Sequence, residues 1–149
     1  MKRFLSVALL VLVCVCCLTS CAKIEQEIGK SVSVSAVDAV AKQFEEEGVV
    51  FDRADAARLA AIETALAGEY EMALQGNVTA ALIGEETKAQ TGEWGKYWVL
   101  GFSAATDAEA FVQLANGELQ TEIDEGKAVV VGGGYIVSVT VSSIEIPQD

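Results

Sequence analysis

The chain has 149 residues, of which 52% are hydrophobic and 21% are charged, and it contains four cysteines and no histidine. Its 22 acidic and 10 basic residues give a formal net charge of −12 at pH 7. This acidic surplus excludes a nucleic-acid-binding surface, because such a surface needs clustered cations to displace counterions from phosphates. The lack of histidine excludes Ser-His-Asp and Cys-His catalytic sites.

The N-terminal stretch has the three parts of a secretory signal. The basic start Met1-Lys2-Arg3 is followed by the apolar run Phe4–Leu18, which is shorter than the roughly 20 residues of a membrane-spanning helix. The run ends in Leu18-Thr19-Ser20-Cys21, which resembles the lipobox of bacterial lipoproteins. The resemblance implies cleavage after Ser20, a diacylglyceryl group on Cys21, and a lipid-anchored location at the cell membrane or outer membrane, on the extracytoplasmic side. An uncleaved membrane helix and a secretory signal cut without lipidation remain alternatives.

Cysteine positions agree with this interpretation, since all four lie within or at the end of the signal: Cys14, Cys16, Cys17 and Cys21. Removal of residues 1–20 takes away Lys2 and Arg3, so the mature chain has 149 − 20 = 129 residues and a formal charge of 8 − 22 = −14. We therefore predict a signal peptide over residues 1–20, a lipidated N-terminus and flexible tether over residues 21–35, and a single domain over residues 36–149.

Three helices are predicted in that domain. Apolar residues at helical spacing indicate a first helix over Ala36–Glu47, with Val37, Val40, Ala41 and Phe44 on its buried face. A second helix is expected over Arg53–Ala67, with Asp52 as its N-cap. A third is expected to begin at the capping-box sequence Thr106-Asp107-Ala108-Glu109 and to end near Ala115.

Strands are expected in the remaining segments. A hairpin is predicted from Glu69–Gln75 and Val78–Ile83 around Gly76-Asn77, and a second from Ala128–Val131 and Tyr135–Val141 around the three glycines that separate them. The apolar run Tyr97–Phe102 suits a buried strand, whereas Val49–Phe51 suits either a strand or a connection between helices. The polar stretches Gly84–Gly95 and Glu118–Gly126 are expected to be loops.

These elements predict an α+β fold: a two-layer sandwich with an antiparallel sheet and helices on one face. The repeated order of apolar run, helix and hairpin favours a ferredoxin-like or related βαβ-repeat arrangement. The alternative is two helices, a three-stranded meander, a helix and a hairpin.

The search for catalytic and cofactor motifs finds no phosphate-binding loop, no nucleophile elbow and no zinc-ligand spacing after Cys21. We therefore expect no catalytic residues, no metal and no cofactor. Acidic runs such as Glu45–Glu47, Glu85-Glu86 and Asp124-Glu125 are interpreted as solvated charge.

The main concentration of aromatic side chains comprises Trp94, Tyr97 and Trp98. Because aromatic residues beside a turn often anchor binding interfaces, we predict that Trp94 and one of its two neighbours contribute to a partner-binding surface. The alternative is that these side chains close the end of the sheet core.

Together these observations favour a lipid-anchored binding or scaffold module of the bacterial cell envelope, without catalysis. Its expected partners are the membrane, through the lipid on Cys21, and an envelope protein or basic partner, but no nucleic acid. The alternative is a hydrolase that cleaves an envelope polysaccharide with carboxylates alone.

Overall fold

A computed structural model of the protein describes the backbone of residues 2–147 and the side chains of residues 24–147. The predicted signal peptide and the side chain of Cys21 lie outside the described side chains. The helices are α1 (Lys2–Glu45), α2 (Ala56–Gly68), α3 (Ala105–Glu118) and α4 (Gln120–Asp124). The strands are β1 (Val50–Arg53), β2 (Val78–Lys88), β3 (Glu93–Phe102), β4 (Ala128–Gly133) and β5 (Ile136–Ser142).

The five strands form one sheet in the order β1-β2-β3-β5-β4, and every neighbouring pair is antiparallel. The predicted α+β sandwich with an antiparallel sheet is thus confirmed. The strand order differs from a ferredoxin-like arrangement. A βαβ unit joins parallel strands, whereas β1 and β2, on either side of α2, are antiparallel neighbours.

Helices cover both faces of this sheet, although the sequence led us to expect them on one face. On the first face, α2 and α3 pack on a core that includes Leu66, Leu100 and Phe102. On the second face, which we call the α1 face, α1 packs on a core that includes Val37 and Val99. Consecutive residues of the central strands are apolar, and successive side chains of a strand point to opposite faces. Both sides of the sheet are therefore apolar, and both need a cover.

The predicted flexible tether over residues 21–35 is corrected by the path of α1, which is helical through this segment. Ser33 is fully buried, and its hydroxyl lies 2.6 Å from the Thr79 hydroxyl on β2. Gly29 is also buried, and a Cβ atom at this position would overlap the carbonyl oxygen of Ser103. Together with Val37, these residues are spaced by four along α1, so they form one stripe that lies against the sheet. The predicted first helix is therefore only the C-terminal part of a longer one.

The predicted hairpin around Gly76-Asn77 is wrong, and so is the predicted loop over Gly84–Gly95. β2 and β3 form one long hairpin whose turn is at residues 89–92, and Gly92 has a positive φ of 72°. The polar residues that suggested a loop occupy the outer ends of these two strands. Those ends extend beyond the core, so their side chains are not required to be apolar.

Residues 69–77 form an irregular loop instead of a strand, and Asp107 connects this loop to α3. The buried Asp107 carboxylate accepts hydrogen bonds from the backbone N–H groups of Gln75 and Gly76, each at 2.8 Å. The predicted capping box is not formed. In the described chain, α3 begins at Ala105, so Thr106 lies inside the helix, Ala104 is the N-cap and no side chain caps the helix.

The remaining boundaries differ less from expectation. Val49–Phe51 overlaps strand β1, and α2 begins after Asp55, whose carboxylate accepts a hydrogen bond from the Arg58 N–H at 2.9 Å. The predicted terminal hairpin is confirmed as β4 and β5. The acidic segment Glu118–Gly126, expected to be a loop, contains the short helix α4.

Candidate functional site

The α1 face is covered over only part of its width. α1 contacts β2 and β3 and touches β5, but it ends at Glu45 and has no substantial contact with β4. The uncovered part of this face is a groove of about 520 Å³, which we call the open groove. It is bounded by the end of α1, the outer ends of β2 and β3, and the chain that follows β5.

The floor of the open groove combines hydroxyl groups and aliphatic side chains. Strand alternation sends Ser138 and Thr140 of β5 into the groove, whereas Val139 packs in the core on the opposite face. From β4 come Val129 and Val131, and the Val131 side chain is 58% exposed. The floor can therefore offer both hydrogen bonds and apolar contact to a bound group.

The chain after β5 is tied to the ends of the sheet and forms part of the groove lining. The Ser143 N–H donates to the Trp94 carbonyl oxygen at 3.0 Å, and the Trp94 N–H donates to the Ser143 hydroxyl at 2.9 Å. The Ile146 N–H donates to the Gly126 carbonyl oxygen at 2.7 Å. These bonds hold Ile144 and Glu145 beside the groove.

Tyr97 lies where the open groove meets α1. Its ring centroid is 5.3 Å from that of Phe44 and 6.4 Å from that of Phe51. Its hydroxyl lies 3.5 Å from a carboxylate oxygen of Glu86. Burial raises the pKa of Tyr97 above its usual value of 10.0, and the negative charges of Glu86 and Glu47 raise this pKa further. At neutral pH the phenol is therefore protonated and acts as a hydrogen-bond donor.

The charged side chains of the lining are mostly acidic. The groove lining contains one cation, Lys88, and four glutamates, so its formal charge is 1 − 4 = −3. The glutamates are Glu47, Glu86, Glu93 and Glu145. Lys88 lies 3.6 Å from Glu93. Among the described residues, no lysine or arginine forms an ion pair with the other three glutamates. Their negative potential is consequently available to a ligand.

The structure separates the three aromatic residues that the sequence suggested as a partner-binding surface. Tyr97 points to the α1 face, whereas Trp98 packs against the core on the opposite face. Trp94 lies opposite Thr87 near the end of β3 and is 40% exposed, and the ammonium of Lys96 lies 6.0 Å from its ring centroid. Its side chain therefore shares the face of Trp98, and its backbone borders the open groove through the bonds to Ser143. Of the three aromatic side chains, only that of Tyr97 projects to the groove, and a role for any of them in binding stays a prediction.

Sequence reasoning did not single out the glutamates of the groove or the valines of β4. Alternation along β5 was visible in the sequence, but the side of the sheet left open depends on where α1 ends. Glu86 was treated only as part of an acidic pair, because no sequence signal shows that Glu85 and Glu86 point to opposite faces of an ordered strand.

Within residues 24–147, no group of three or more acidic, histidine or cysteine side chains is arranged to hold a metal ion. Within the same residues, no helix combines the length and hydrophobicity needed to span a membrane. Comparison with known proteins finds no matching family model, no similar curated protein and no matching solved structure.

Proposed function

We propose that the protein is a lipid-anchored binding module on the extracytoplasmic side of the bacterial cell envelope, and that the open groove is its binding site. The observation that carries this proposal is the uncovered part of the α1 face beyond the end of α1. The two cores of the same sheet are covered, by α2 and α3 on one face and by α1 on the other.

Two properties of the groove support binding. Its volume of about 520 Å³ lies within the roughly 300–1,000 Å³ typical of ligand sites. Two apolar side chains of its lining remain accessible, with exposures of 58% for Val131 and 42% for Ile144. Exposed apolar groups gathered in one concavity are typical of interaction sites.

The proposed location depends on the N-terminal sequence. The basic start, the apolar run and the lipobox-like ending at Cys21 support export and lipid attachment. A diacylglyceryl group together with a further acyl chain would anchor the mature protein stably, because each buried methylene contributes about 0.8 kcal/mol.

Binding is better supported than hydrolysis by carboxylates. A glycosidase-like site needs two carboxyl groups that face each other across the bond to be cleaved. Of the four glutamates of the open groove, Glu47 and Glu145 are exposed to solvent. Glu93 lies 3.6 Å from the Lys88 ammonium, and Glu86 lies 3.5 Å from the Tyr97 hydroxyl. We therefore propose a module without catalysis.

Site-specific photo-crosslinking in intact cells tests this function. A photoreactive amino acid replaces Val131, on edge strand β4 in the groove, or Val50, on edge strand β1 away from it. Both valines are exposed, at 58% and 78%, so they form a matched pair. We expect a discrete crosslinked species from position 131 and none from position 50. Equal crosslinking at both positions, or none at position 131, would contradict a binding role for the groove.

A further inference from the structure

We infer that the ligand of the open groove is a basic, extended segment of another protein that presents cationic and aliphatic side chains on the same face. This inference rests on the proposed function and adds the chemistry of the partner. The charges of the groove, its apolar contacts and its shape support this inference.

The charge of the groove selects a cation. Glu47, Glu86 and Glu145 have no ion-pair partner among the described residues, and the protein as a whole has a formal charge of −12. An ammonium or guanidinium group that enters the groove would gain charge-assisted hydrogen bonds to these carboxylates. The acidic field around them would also speed the approach of a basic partner.

The apolar surface selects more than charge alone. Phe44 and Tyr97 form an aromatic wall beside Glu86. A cation or an aliphatic chain can pack against the faces of such rings. Val129 and Val131 lie two residues apart on β4 and so project from the same face of that strand. An extended segment whose groove-facing side carries both aliphatic and cationic residues matches this lining, because successive side chains of a strand point to opposite faces.

The shape of the groove favours a protein segment over a small cation. Small-molecule sites usually enclose most of their ligand, whereas Val131 and Ile144 of this lining remain 58% and 42% exposed. Within the described chain β4 is an edge strand, paired with β5 on one side, so an extended segment could also form backbone hydrogen bonds along it. A second copy of this chain is disfavoured because both copies carry the same acidic surplus.

The test measures binding of a defined probe to the purified full-length protein in detergent micelles. The probe is a fluorescently labelled peptide with the repeat Lys-Ser-Val-Ser, in which lysine and valine share one face of the extended chain, and the comparison peptide has glutamate in place of lysine. We expect saturable binding of the lysine peptide by fluorescence anisotropy, with affinity that falls as salt is added. Comparable binding of the glutamate peptide, or equally tight binding of a free polyamine, would overturn the inference.

Neighbouring glutamates on β2 supply a matched control. Glu86 points into the groove, whereas Glu85 points to the other face beside Lys96, so Glu86→Gln and Glu85→Gln change the net charge equally. We expect Glu86→Gln to weaken peptide binding about two- to fivefold and Glu85→Gln to leave it unchanged. The double variant Glu47→Gln, Glu86→Gln should lose about tenfold. Equal effects of Glu86→Gln and Glu85→Gln would show that only overall charge matters and would overturn the inference.

The two proposals can fail separately. A crosslink from position 131 together with no binding of the lysine peptide would leave the groove as a binding site and overturn its basic ligand. Absence of the crosslink and of peptide binding would remove both.

Discussion

At the scale of single residues, Tyr97 reports on the electrostatics of the open groove. Its phenol is partly buried against Phe44 and lies near the carboxylates of Glu86 and Glu47, and these surroundings favour the neutral form. Its titration therefore measures the same negative potential that we propose to recognise a basic partner.

We expect Glu86→Gln to lower the pKa of Tyr97 towards 10.0, because the substitution removes a nearby negative charge. Glu85→Gln should change this pKa little, since that side chain lies on the other face of the sheet. Ring NMR signals of Tyr97, followed as a function of pH and assigned with Tyr97→Phe, provide the measurement. An unchanged pKa in Glu86→Gln would show that the Glu86 carboxylate does not contribute to the shift.

The same shift has a consequence for alkaline stability. The pKa of Tyr97 is higher in the folded state than in the unfolded state, so the folded state retains this proton to higher pH. Its contribution to stability is therefore complete below pH 10 and is lost as the pH rises through the folded-state pKa. Denaturant unfolding of Tyr97→Phe, compared with the native protein, should show a smaller loss of stability in this alkaline range.

At the scale of elements, the contact of α1 with the sheet depends on small residues. Gly29 lies against the backbone of Ser103, and Ser33 is buried beside Thr79. Backbone cannot move aside as the end of a flexible side chain can, so an added methyl group at Gly29 must displace the helix. The position of α1 decides which part of the sheet remains open, so this contact also shapes the groove.

We expect Gly29→Ala to lower the free energy of unfolding by about 1–3 kcal/mol, as overpacking does in well-packed sites. Gly117→Ala is the matched control, because Gly117 also lies in a helix but its added Cβ would meet no atom within 4 Å. There, the gain in helix propensity should raise stability by about 0.5–1 kcal/mol. Urea unfolding measures both, and a stabilising Gly29→Ala would show that α1 does not approach the sheet this closely.

At the scale of the whole molecule, α1 would couple the proposed lipid anchor to the sheet. The helix is continuous from Cys21 to Gly29, where it meets the sheet, a distance of eight residues or about 12 Å at 1.5 Å per residue. A lipid on Cys21 would thus hold the rest of the protein close to the bilayer through a helix.

The anchor itself is tested by Cys21→Ser, with Cys17→Ser as a control inside the predicted signal peptide. We expect Cys21→Ser to abolish incorporation of radiolabelled palmitate, because the lipid-accepting thiol is lost, while Cys17→Ser retains it. Labelling of immunoprecipitated full-length protein is the measurement. Persistent labelling of Cys21→Ser would exclude lipid attachment at this residue.

The sequence by itself determined the α+β class, the helical face of Val37 and Phe44, and the terminal hairpin, because local periodicity and turn residues specify these features. It misassigned residues 24–35 and 84–95, where polar or small residues occupy a packed helix and a long hairpin. Only the tertiary structure decided which part of the sheet stays uncovered. It also decided that Glu86 and Val131 line the same groove. The reason is that these relations depend on long-range contacts of α1 and on the strand order, which nearest neighbours in the chain do not encode.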